Sequence, residues 1–396
     1  MEVSTMVPVL WALPWLGILG FMVFVVRLPR SIPGQGPSRR RTRTPRISVI
    51  IPARNEARNI ERVVGSLASS TYPDVEIMVV DDRSEDETRA LALEAGRARP
   101  GRVRVLDGRP LPEGWMGKNW ACHQGAEETT GELLLFTDAD TWHAPDLLDR
   151  ALAALDEDEA DCLTLAGRQL METFWERLVQ PHVFTAMAAR YPRLREPLPP
   201  SRWRGAIANG QYIMIPREVY DELGGHEALK GEVVEDMRMA QRLVRRGKRL
   251  SIRMAEDSFT TRMYTSLPEL VEGWSKNIVL GGMATLPPWT RGLAPLLILF
   301  SGLVLWVGPP AAVGLGLAGL TGPGVLTWAI AAVATSVALW SAVCHRMGAP
   351  AYYGLLYPLG SLVTGYIFVR AWRRGGRVEW KGREYALEPE AVMREP

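Results

Sequence analysis

Two acidic pairs are the clearest chemical signal in this sequence of 396 residues. Asp138 and Asp140 follow the apolar run at 132–137. Carboxylate oxygens suit Mg²⁺ or Mn²⁺, so one of the pair could bind such an ion and the other a donor ribose or a second ligand position. An ion held there would neutralise the negative charge that develops on a diphosphate leaving group.

The second pair, Glu235 and Asp236, opens a stretch with the apolar spacing of an amphipathic helix. A carboxylate on the side of a sugar opposite the leaving group can take a proton from an acceptor hydroxyl. Asp236 is the candidate for this base, with Glu235 beside it. Stabilisation of the helix dipole is the alternative. The position of the pair between the metal-binding segment and the later apolar segments favours catalysis.

Lys118 lies in an unusual stretch rich in glycine and tryptophan, GWMGKNWACHQG. Glycines let a backbone approach a ligand closely, and the Lys118 ammonium could contact a phosphate or a base. Trp115 and Trp120 could equally be core residues. This stretch is therefore a second candidate for donor binding.

Apolar runs that read as buried strands precede the acidic residues. RISVIIPA, VEIMVV, VRVL, LLLF and DCLTLA predict strands, and 59–67 and 85–93 predict helices. This alternation predicts an α/β fold with a parallel-cored sheet. Ligands bind beyond the carboxyl ends of such strands, so Pro52 to Glu56, Asp81 to Ser84 and Asp138 to Asp140 should converge on one crevice. Asp82 could alternatively cap a helix or form a turn.

Composition excludes several other classes of protein. The formal net charge of +2 gives no basic field for a nucleic-acid partner. Cys122, Cys162 and Cys344 are far apart and lack metal-ligand spacing, which favours a reducing compartment. The hydrophobic fraction of 47% is ordinary, but apolar residues are concentrated near both ends of the chain.

The first apolar run, at 7–26, is long enough for a transmembrane helix, and a cleavable signal peptide is the competing interpretation. The arginine cluster at 39–43 follows it, which predicts a cytoplasmic position for the central domain. Further apolar segments lie at 293–320, 325–343 and 352–369.

Two breaks are expected in these later apolar segments. Gly308, Pro309 and Pro310 should interrupt the first of them. Pro358 and Gly360 should split the last into a re-entrant pair that returns the basic tail to the cytoplasm.

The segments IPARNE, VVDDRSEDET, FTDADT and VVEDMRMAQRL resemble, in their order, the motifs of family 2 glycosyltransferases. The resemblance covers about 46–254 and implies a GT-A fold with a mixed, parallel-cored sheet and an inverting reaction. It further implies that Asp140 with Asp138 binds the metal and that Asp236 deprotonates the acceptor. The donor-binding residues expected on this basis are Pro52, Ala53, Asn55, Glu56, Asp81, Asp82, Lys118 and Asp138.

GWMGKNWACHQG, ANGQYIMI, ELGGHEAL, GWSKN and WKGREY resemble the membrane-bound branch that glycosylates carotenoid, hopanoid-associated and ceramide-type lipids. Gln211 is the expected acceptor residue of the second motif. Trp274 and Lys276 stand where processive synthases carry Gln-x-x-Arg-Trp, and the absence of that motif favours one sugar per acceptor. In the tail, Lys381 and Arg383 could reach the donor diphosphate, with membrane-surface binding as the alternative.

Together these patterns predict a bacterial inner-membrane, multi-pass enzyme that transfers one sugar from a nucleotide sugar to a lipid hydroxyl. The family resemblance implies that the donor is a UDP-sugar. A polymerising or polyprenyl-phosphate sugar transferase and a non-catalytic membrane scaffold remain the alternatives. The expected domains are a transmembrane anchor (1–30), a basic linker (31–45), the GT-A domain (46–262), an interfacial amphipathic segment (263–291), transmembrane or re-entrant helices (292–372) and a basic cytoplasmic tail (373–396).

Overall fold

The computed structural model describes residues 13–26, 28–34, 44–275, 293–374, 377–380 and 383–386. Its strands are β1 (Arg30–Ser31), β2 (Ile47–Ala53), β3 (Val75–Asp81), β4 (Val103–Asp107), β5 (Leu133–Phe136), β6 (Thr141–His143), β7 (Cys162–Ala166), β8 (Arg168–Gln169), β9 (Ile213–Pro216), β10 (Leu250–Met254), β11 (Phe259–Thr261), β12 (Arg377–Trp380) and β13 (Arg383–Ala386). Its labelled helices are α1 (Ile60–Ala68), α2 (Thr88–Gly96), α3 (Gly117–Glu127), α4 (Leu147–Glu157), α5 (Phe174–Arg190), α6 (Arg217–Glu222), α7 (Glu235–Arg245), α8 (Ala294–Gly302), α9 (Gly308–Leu317), α10 (Pro323–Arg346) and α11 (Tyr357–Arg374).

The main sheet has the strand order β1-β10-β7-β9-β5-β2-β3-β4. Its neighbours pair in parallel except at β9, which is antiparallel to both β5 and β7. Every residue of β3 and of β5 is buried, because continuous apolar runs fill both faces of a covered sheet. The predicted α/β fold with a mixed, parallel-cored sheet is therefore confirmed.

Strand register brings the expected ligand-binding positions to one edge of the sheet. Ile47 of β2 pairs in parallel with Val75 of β3 and with Leu133 of β5. The carboxyl ends of these three adjacent strands therefore lie side by side. A smaller sheet has the strand order β6-β11-β8, and its strand β6 is the next strand along the chain after β5.

Helix α2 begins at Thr88, whereas the sequence pattern predicted a start at Glu85. The Asp86 carboxylate accepts the backbone N–H of Thr88 at 3.0 Å. An aspartate that bonds the backbone two residues later favours a turn over a helix, so the chain turns before the helix starts.

The described residues form two compact units. The α/β unit draws on the segments Pro29–Gln169, Leu194–Met263 and Gly376–Pro396, and the helical unit on Met1–Leu28, Leu170–Arg193 and Tyr264–Gly375. The predicted domain boundaries follow chain order and stay a prediction.

Within the described residues, two helices of the helical unit are long and apolar enough to cross a membrane, Leu299–Leu317 and Pro323–Arg346. The first contains the prolines that were expected to interrupt it. A π-helical turn, Leu303–Val307, instead joins α8 to α9, so the expected break is wrong. In such a turn each carbonyl pairs five residues onward, and this local change lets the helix continue into Pro309 and Pro310, which have no N–H.

The expected split at Pro358 and Gly360 is also wrong. A short 3₁₀ helix, Ala351–Leu356, precedes α11, which runs unbroken from Tyr357 to Arg374. Pro358 is the second residue of α11, where a missing N–H costs nothing because the first turn has no internal acceptor for it.

Gly360 of α11 allows close packing against α5. A Cβ at Gly360 would lie 2.3 Å from Cε1 of His182, and the His182 ring stacks on Trp340 at a centroid distance of 3.8 Å. The imidazole nitrogens of His182 lie 3.0 Å from the Leu178 carbonyl oxygen and 3.2 Å from the Tyr357 carbonyl oxygen. The last helix is therefore held against α5 by a contact that only glycine permits.

The predicted N-terminal anchor is described in part. Residues 13–20 are helical and lead into a π turn, Phe21–Val25. The indole N–H of Trp15 donates to the Leu305 carbonyl at 3.2 Å, so this segment packs within the helical unit. Residues 1–12 lie outside the described residues, as do 276–291 of the predicted interfacial segment, in which 267–275 are helical.

Candidate active site

The carboxyl ends of β2 and β3 are joined by hydrogen bonds. The Arg54 guanidinium donates to the carbonyl oxygens of Asp82 (2.9 Å) and Arg83 (2.6 Å). Asn55 has a φ of 52°, the left-handed conformation that asparagine tolerates, and its side chain accepts the N–H of Glu85. The expected donor-binding segments after β2 and β3 are therefore in contact.

Within these segments Pro52 and Ala53 are strand residues of β2, and Ala53 accepts the Asp82 N–H at 2.7 Å. Asp81 is buried, and its Oδ1 has no hydrogen-bond partner among the described residues. Asp82 is 1% exposed. Their roles in nucleotide recognition stay predictions.

Arg383 of β13 makes the main ionic contact of Asp82. Its guanidinium donates to both carboxylate oxygens, at 2.5 Å and 3.2 Å. Burial raises the pKa of Asp82, and the Arg383 guanidinium opposes that rise. The tail strands β12 and β13 form an antiparallel hairpin that the sequence did not predict. Arg383 thus lies at the expected nucleotide site, paired with a carboxylate; the expected diphosphate contact stays a prediction, and Lys381 lies outside the described residues.

Asp138 and Asp140 lie immediately beyond β5. Burial, followed by the nearby carboxylates of Asp138 and Glu56, raises the pKa of Asp140 to about 8. Oδ1 of Asp140 is buried, with no hydrogen-bond partner among the described residues. The parallel pairing of β2 with β5 places the end of β2 near the end of β5.

These carboxylates fit a hard divalent cation. A buried carboxylate oxygen without a donor, close to further negative charge, is stabilised by a bound cation. No group of three or more His, Cys, Asp or Glu side chains suited to a metal occurs in the described ranges. Mg²⁺ is nevertheless often bound by one or two carboxylates, and water and substrate phosphates then complete its coordination.

Lys118, at the start of α3, joins the two acidic pairs. Its Nζ lies 2.8 Å from Oδ1 of Asp138 and 2.8 Å from Oε1 of Glu235. Burial alone would lower the pKa of Lys118, but Asp138, Glu235 and Asp236 together hold it well above its usual value. Lys118 therefore stays charged between the carboxylates, and the predicted phosphate contact stays a prediction.

Asp236 occupies the first turn of α7. Its Oδ2 accepts the Gly210 N–H at 2.9 Å, and its Oδ1 accepts its neighbour's N–H, that of Met237, at 2.7 Å. Burial, then the adjacent Glu235, raises the pKa of Asp236 to about 6, with Lys118 opposing. A carboxyl group with this pKa is ionised near neutral pH and still basic enough to accept a proton.

Gly210 was missed as a site residue. A Cβ at this position would lie 2.9 Å from Oδ2 of Asp236 and 3.2 Å from Nζ of Lys118. Any side chain there would displace the charged groups. Its presence in the ANGQYIMI motif was the available signal, although only Gln211 was selected from it.

Asn119 is a second residue that sequence reasoning missed. Its side-chain amide donates to the carbonyl oxygens of Leu229 (2.6 Å) and Glu232 (2.9 Å), just before α7 begins. Asn119 is 1% exposed, so these bonds form away from water. The residue that follows Lys118 thus fixes the loop that delivers Glu235 to it.

Of the expected acceptor residues, Gln211 and Trp274 belong to different units. The Gln211 side chain is buried and donates to Thr261 Oγ1 at 3.0 Å within the α/β unit. Trp274 belongs to the helical unit, where it makes edge contacts with Phe184 and Tyr264. Lys276 lies outside the described residues. Their roles as acceptor residues stay predictions.

The chain is similar in sequence and in fold to known proteins. Residues 48–224 match the family model Glycosyl transferase family 2. The chain is similar to 4,4'-diaponeurosporenoate glycosyltransferase of Staphylococcus aureus (strain USA300), with 26% identity over 360 residues, 87% of this chain and 89% of the relative. It is also similar to the mannosyltransferase PcManGT from Pyrobaculum calidifontis in complex with GDP-Man and Mn²⁺, with 19% identity, 94% and 95% coverage of the two chains and a TM-score of 0.51. The latter similarity shows a shared fold.

Proposed function

We propose that this chain is a hexosyltransferase that moves one sugar from a nucleotide sugar to the hydroxyl of a membrane lipid. Its residues 48–224 match the model of glycosyl transferase family 2. The observation that carries the proposal is the position of Lys118, bonded to both Asp138 and Glu235. This contact joins Asp138, one of the two carboxylates proposed to hold the metal, to Glu235 of α7, and so supports the proposal.

The donor side of the proposal rests on the ends of β2, β3 and β5. Glu56 and Asp82 would contact the nucleoside, and Asp138 and Asp140 would hold Mg²⁺ or Mn²⁺. When bound, the ion would supply Lewis-acid stabilisation of the diphosphate leaving group. The GDP-Man and Mn²⁺ bound by PcManGT support this class of donor and cofactor, and a uridine nucleotide is the expectation from the motif resemblance.

The acceptor side of the proposal rests on Asp236. Its ionised carboxylate would accept the proton of the acceptor hydroxyl as the hydroxyl oxygen bonds to the anomeric carbon and the bond to the diphosphate breaks. The Gly210 and Met237 N–H groups would orient the two carboxylate oxygens, each of which retains a second lone pair for the proton. Attack from the face opposite the leaving group inverts the anomeric carbon.

A membrane lipid is proposed as the acceptor on two grounds. The relative's named substrate, 4,4'-diaponeurosporenoate, is a carotenoid-type lipid. The helical unit contains two helices long and apolar enough to cross a bilayer. With the arginines at 39–43, these helices support a bacterial inner-membrane enzyme whose α/β unit faces the cytoplasm.

The test is to incubate membranes containing the full chain with a panel of labelled nucleotide sugars and Mn²⁺, then to determine lipid product masses. We expect a mass increase of one sugar, which Asp140→Ala and Asp236→Asn should abolish. Asp221→Asn, an exposed carboxylate of α6, is the matched control and should retain transfer.

Other outcomes would contradict the proposal. Products with several sugars or an anomeric phosphate would indicate a polymerising or polyprenyl-phosphate enzyme. Full transfer by both Asp140→Ala and Asp236→Asn would remove the catalytic assignment, and no transfer with any donor would favour a scaffold.

A further inference from the structure

His143 of β6 lies beneath the loop that carries Asp138 and Asp140. Its side chain is 2% exposed. Its Nε2 lies 3.2 Å from Oγ1 of Thr137 and 3.0 Å from Oγ1 of Thr141. These threonines flank the two carboxylates along the chain, so one ring nitrogen contacts both ends of the loop.

The hydrogen-bond pattern identifies which partner donates. The Thr137 hydroxyl donates to the Gln211 carbonyl at 2.7 Å, and the Thr141 hydroxyl donates to the Asp138 carbonyl at 2.8 Å. The two hydroxyl oxygens also lie 3.2 Å apart. When each hydroxyl donates its one hydrogen to a carbonyl, both oxygens are left to accept from the imidazole, and this arrangement assigns the ring proton of His143 to Nε2. Its Nδ1 has no hydrogen-bond partner among the described residues.

These bonds connect the two halves of the candidate site. Thr141 fixes the Asp138 carbonyl, and Thr137 fixes the Gln211 carbonyl. Gln211 follows Gly210, whose N–H holds Asp236. The Nε2–H group of His143 thus supports both the Asp138–Asp140 loop and the Gly210–Gln211 turn. That turn orients Asp236, the candidate base.

We propose that His143 is a positioning residue, which holds the Asp138–Asp140 loop and the Gly210–Gln211 turn in the geometry that binds the divalent cation. This inference rests on the proposed function, because it assigns a role toward the same cation. His143 does not itself touch substrate or metal in this role.

A purely structural role makes a different prediction. The His143 ring packs against Tyr212 and Phe259, with centroid distances of 5.8 Å and 5.1 Å. His143→Phe retains an aromatic ring for this packing but removes the donor. His143→Gln provides an amide N–H at the position of Nε2. If His143 only packs, His143→Phe should preserve its role better than His143→Gln. If His143 positions the loop through its N–H, His143→Gln should preserve that role and His143→Phe should not.

The experiment measures Mn²⁺ binding to the purified, detergent-solubilised full chain by electron paramagnetic resonance, with the Tm of each sample recorded alongside. His143→Phe should weaken Mn²⁺ binding about tenfold through the loss of two hydrogen bonds to the loop. His143→Gln should bind within about threefold of the unsubstituted chain, since one amide N–H replaces the imidazole donor. His182→Phe, the same change in the helical unit, is the matched control and should leave Mn²⁺ affinity unchanged.

Thr141→Val provides a second variant in case His143→Phe does not fold, and it should weaken Mn²⁺ binding in the same direction. Unchanged Mn²⁺ affinity in His143→Phe or Thr141→Val, with a lowered Tm, would overturn the proposal. Equal weakening of Mn²⁺ binding by His143→Phe and His143→Gln would also overturn the proposal. If the unsubstituted chain binds no Mn²⁺, the metal step of the proposed function fails and the inference fails with it.

Discussion

At the scale of single residues, Asp236 sets the expected pH dependence of transfer. Its pKa, raised by burial and Glu235 to about 6, must be exceeded before the carboxylate can act as a base. With saturating substrates, the rate should therefore rise about tenfold per pH unit below that pKa and level off above it. Initial rates across the acidic to neutral range test this.

Asp236→Asn should lower the transfer rate by about 10²–10⁴-fold and abolish the acidic limb. Donor binding should be retained, because the change lies on the acceptor side. A flat profile in the unsubstituted enzyme, measured over the same range, would contradict the assignment of the base.

Asp140 predicts how the stability of the metal-free protein depends on pH. Its folded-state pKa of about 8 lies above the ordinary value of 3.8, so the folded state binds the proton more tightly than the unfolded state. The contribution of Asp140 to the stability of the folded state is fully present below pH 3.8 and is lost as the pH rises through about 8. Without metal, the Tm should fall across this window.

Asp140→Asn should flatten this dependence, because an amide does not titrate. Added Mn²⁺ should restore the Tm of the unsubstituted protein at high pH and leave that of the variant unaffected. Thermal scans in a chelator, with and without Mn²⁺, provide the measurement. A pH dependence that is identical in both proteins would exclude Asp140 as its source.

The convergence of acidic residues could be predicted from sequence because apolar runs locate the strands and parallel strands share a carboxyl edge. The contact of those acidic residues with Lys118 could not be predicted from sequence. Lys118 reaches Asp138 and Glu235 through the packing of α3 against the loop before α7, which Asn119 bonds across 110 positions. No local pattern reports a contact between segments so far apart.

At the scale of elements, Gly360 tests how tightly α11 packs on α5. A Cβ there would approach the His182 ring to 2.3 Å, so Gly360→Ala should destabilise the protein by about 1–3 kcal/mol through overpacking. Gly314→Ala is the control, because the space around Gly314 in α9 is open. That control should be neutral or slightly stabilising, since alanine favours helix.

Thermal unfolding of both glycine variants in the same detergent is the measurement. Equal effects of the two changes would contradict the packing of α11 on α5. The comparison separates a steric clash from the general effect of replacing a helical glycine.

Elements were predictable where one local signal dominated. β2, β3 and β5 follow from continuous apolar runs. The continuous helix from α8 through Pro309 could not be predicted from the local sequence. Proline lowers helix propensity, but a π turn before it lets the helix continue without the missing N–H. The β12–β13 hairpin was missed because its pairing, Arg377 with Ala386, lies in a short and strongly charged segment.

At the scale of the whole molecule, the Arg383–Asp82 pair joins the tail to the expected nucleotide site. Arg383→Gln leaves a carboxylate that is 1% exposed without its cation, so the Tm should fall at neutral pH. Removing one partner of a buried pair costs about 3–5 kcal/mol, and partial exposure of the arginine should reduce this.

Addition of Asp82→Asn to Arg383→Gln should recover much of the lost stability, because the double variant contains no unpaired charge. Acidification should have the same effect on the single variant, since burial raises the pKa of Asp82. A double variant less stable than Arg383→Gln would contradict the pairing. The Tm values of all four proteins complete the cycle.

The order of motifs predicted the α/β fold because each motif sits at a strand end that the sheet brings together. The composition of the two units was not apparent from that order. The α/β unit takes in segments from the start, middle and tail of the chain, and the helical unit takes in Leu170–Arg193. Such groupings depend on long-range packing rather than on local composition.

The sequence separation of 301 between Asp82 and Arg383 also has a consequence for biosynthesis. A ribosome makes every carboxylate of the site, and then all the apolar helices, before it makes the arginine that balances Asp82. Premature stop codons after α11 should therefore yield proteins with intact upstream segments but without the arginine that pairs with Asp82 at the expected nucleotide site. Loss-of-function alleles should include truncations that remove only the tail.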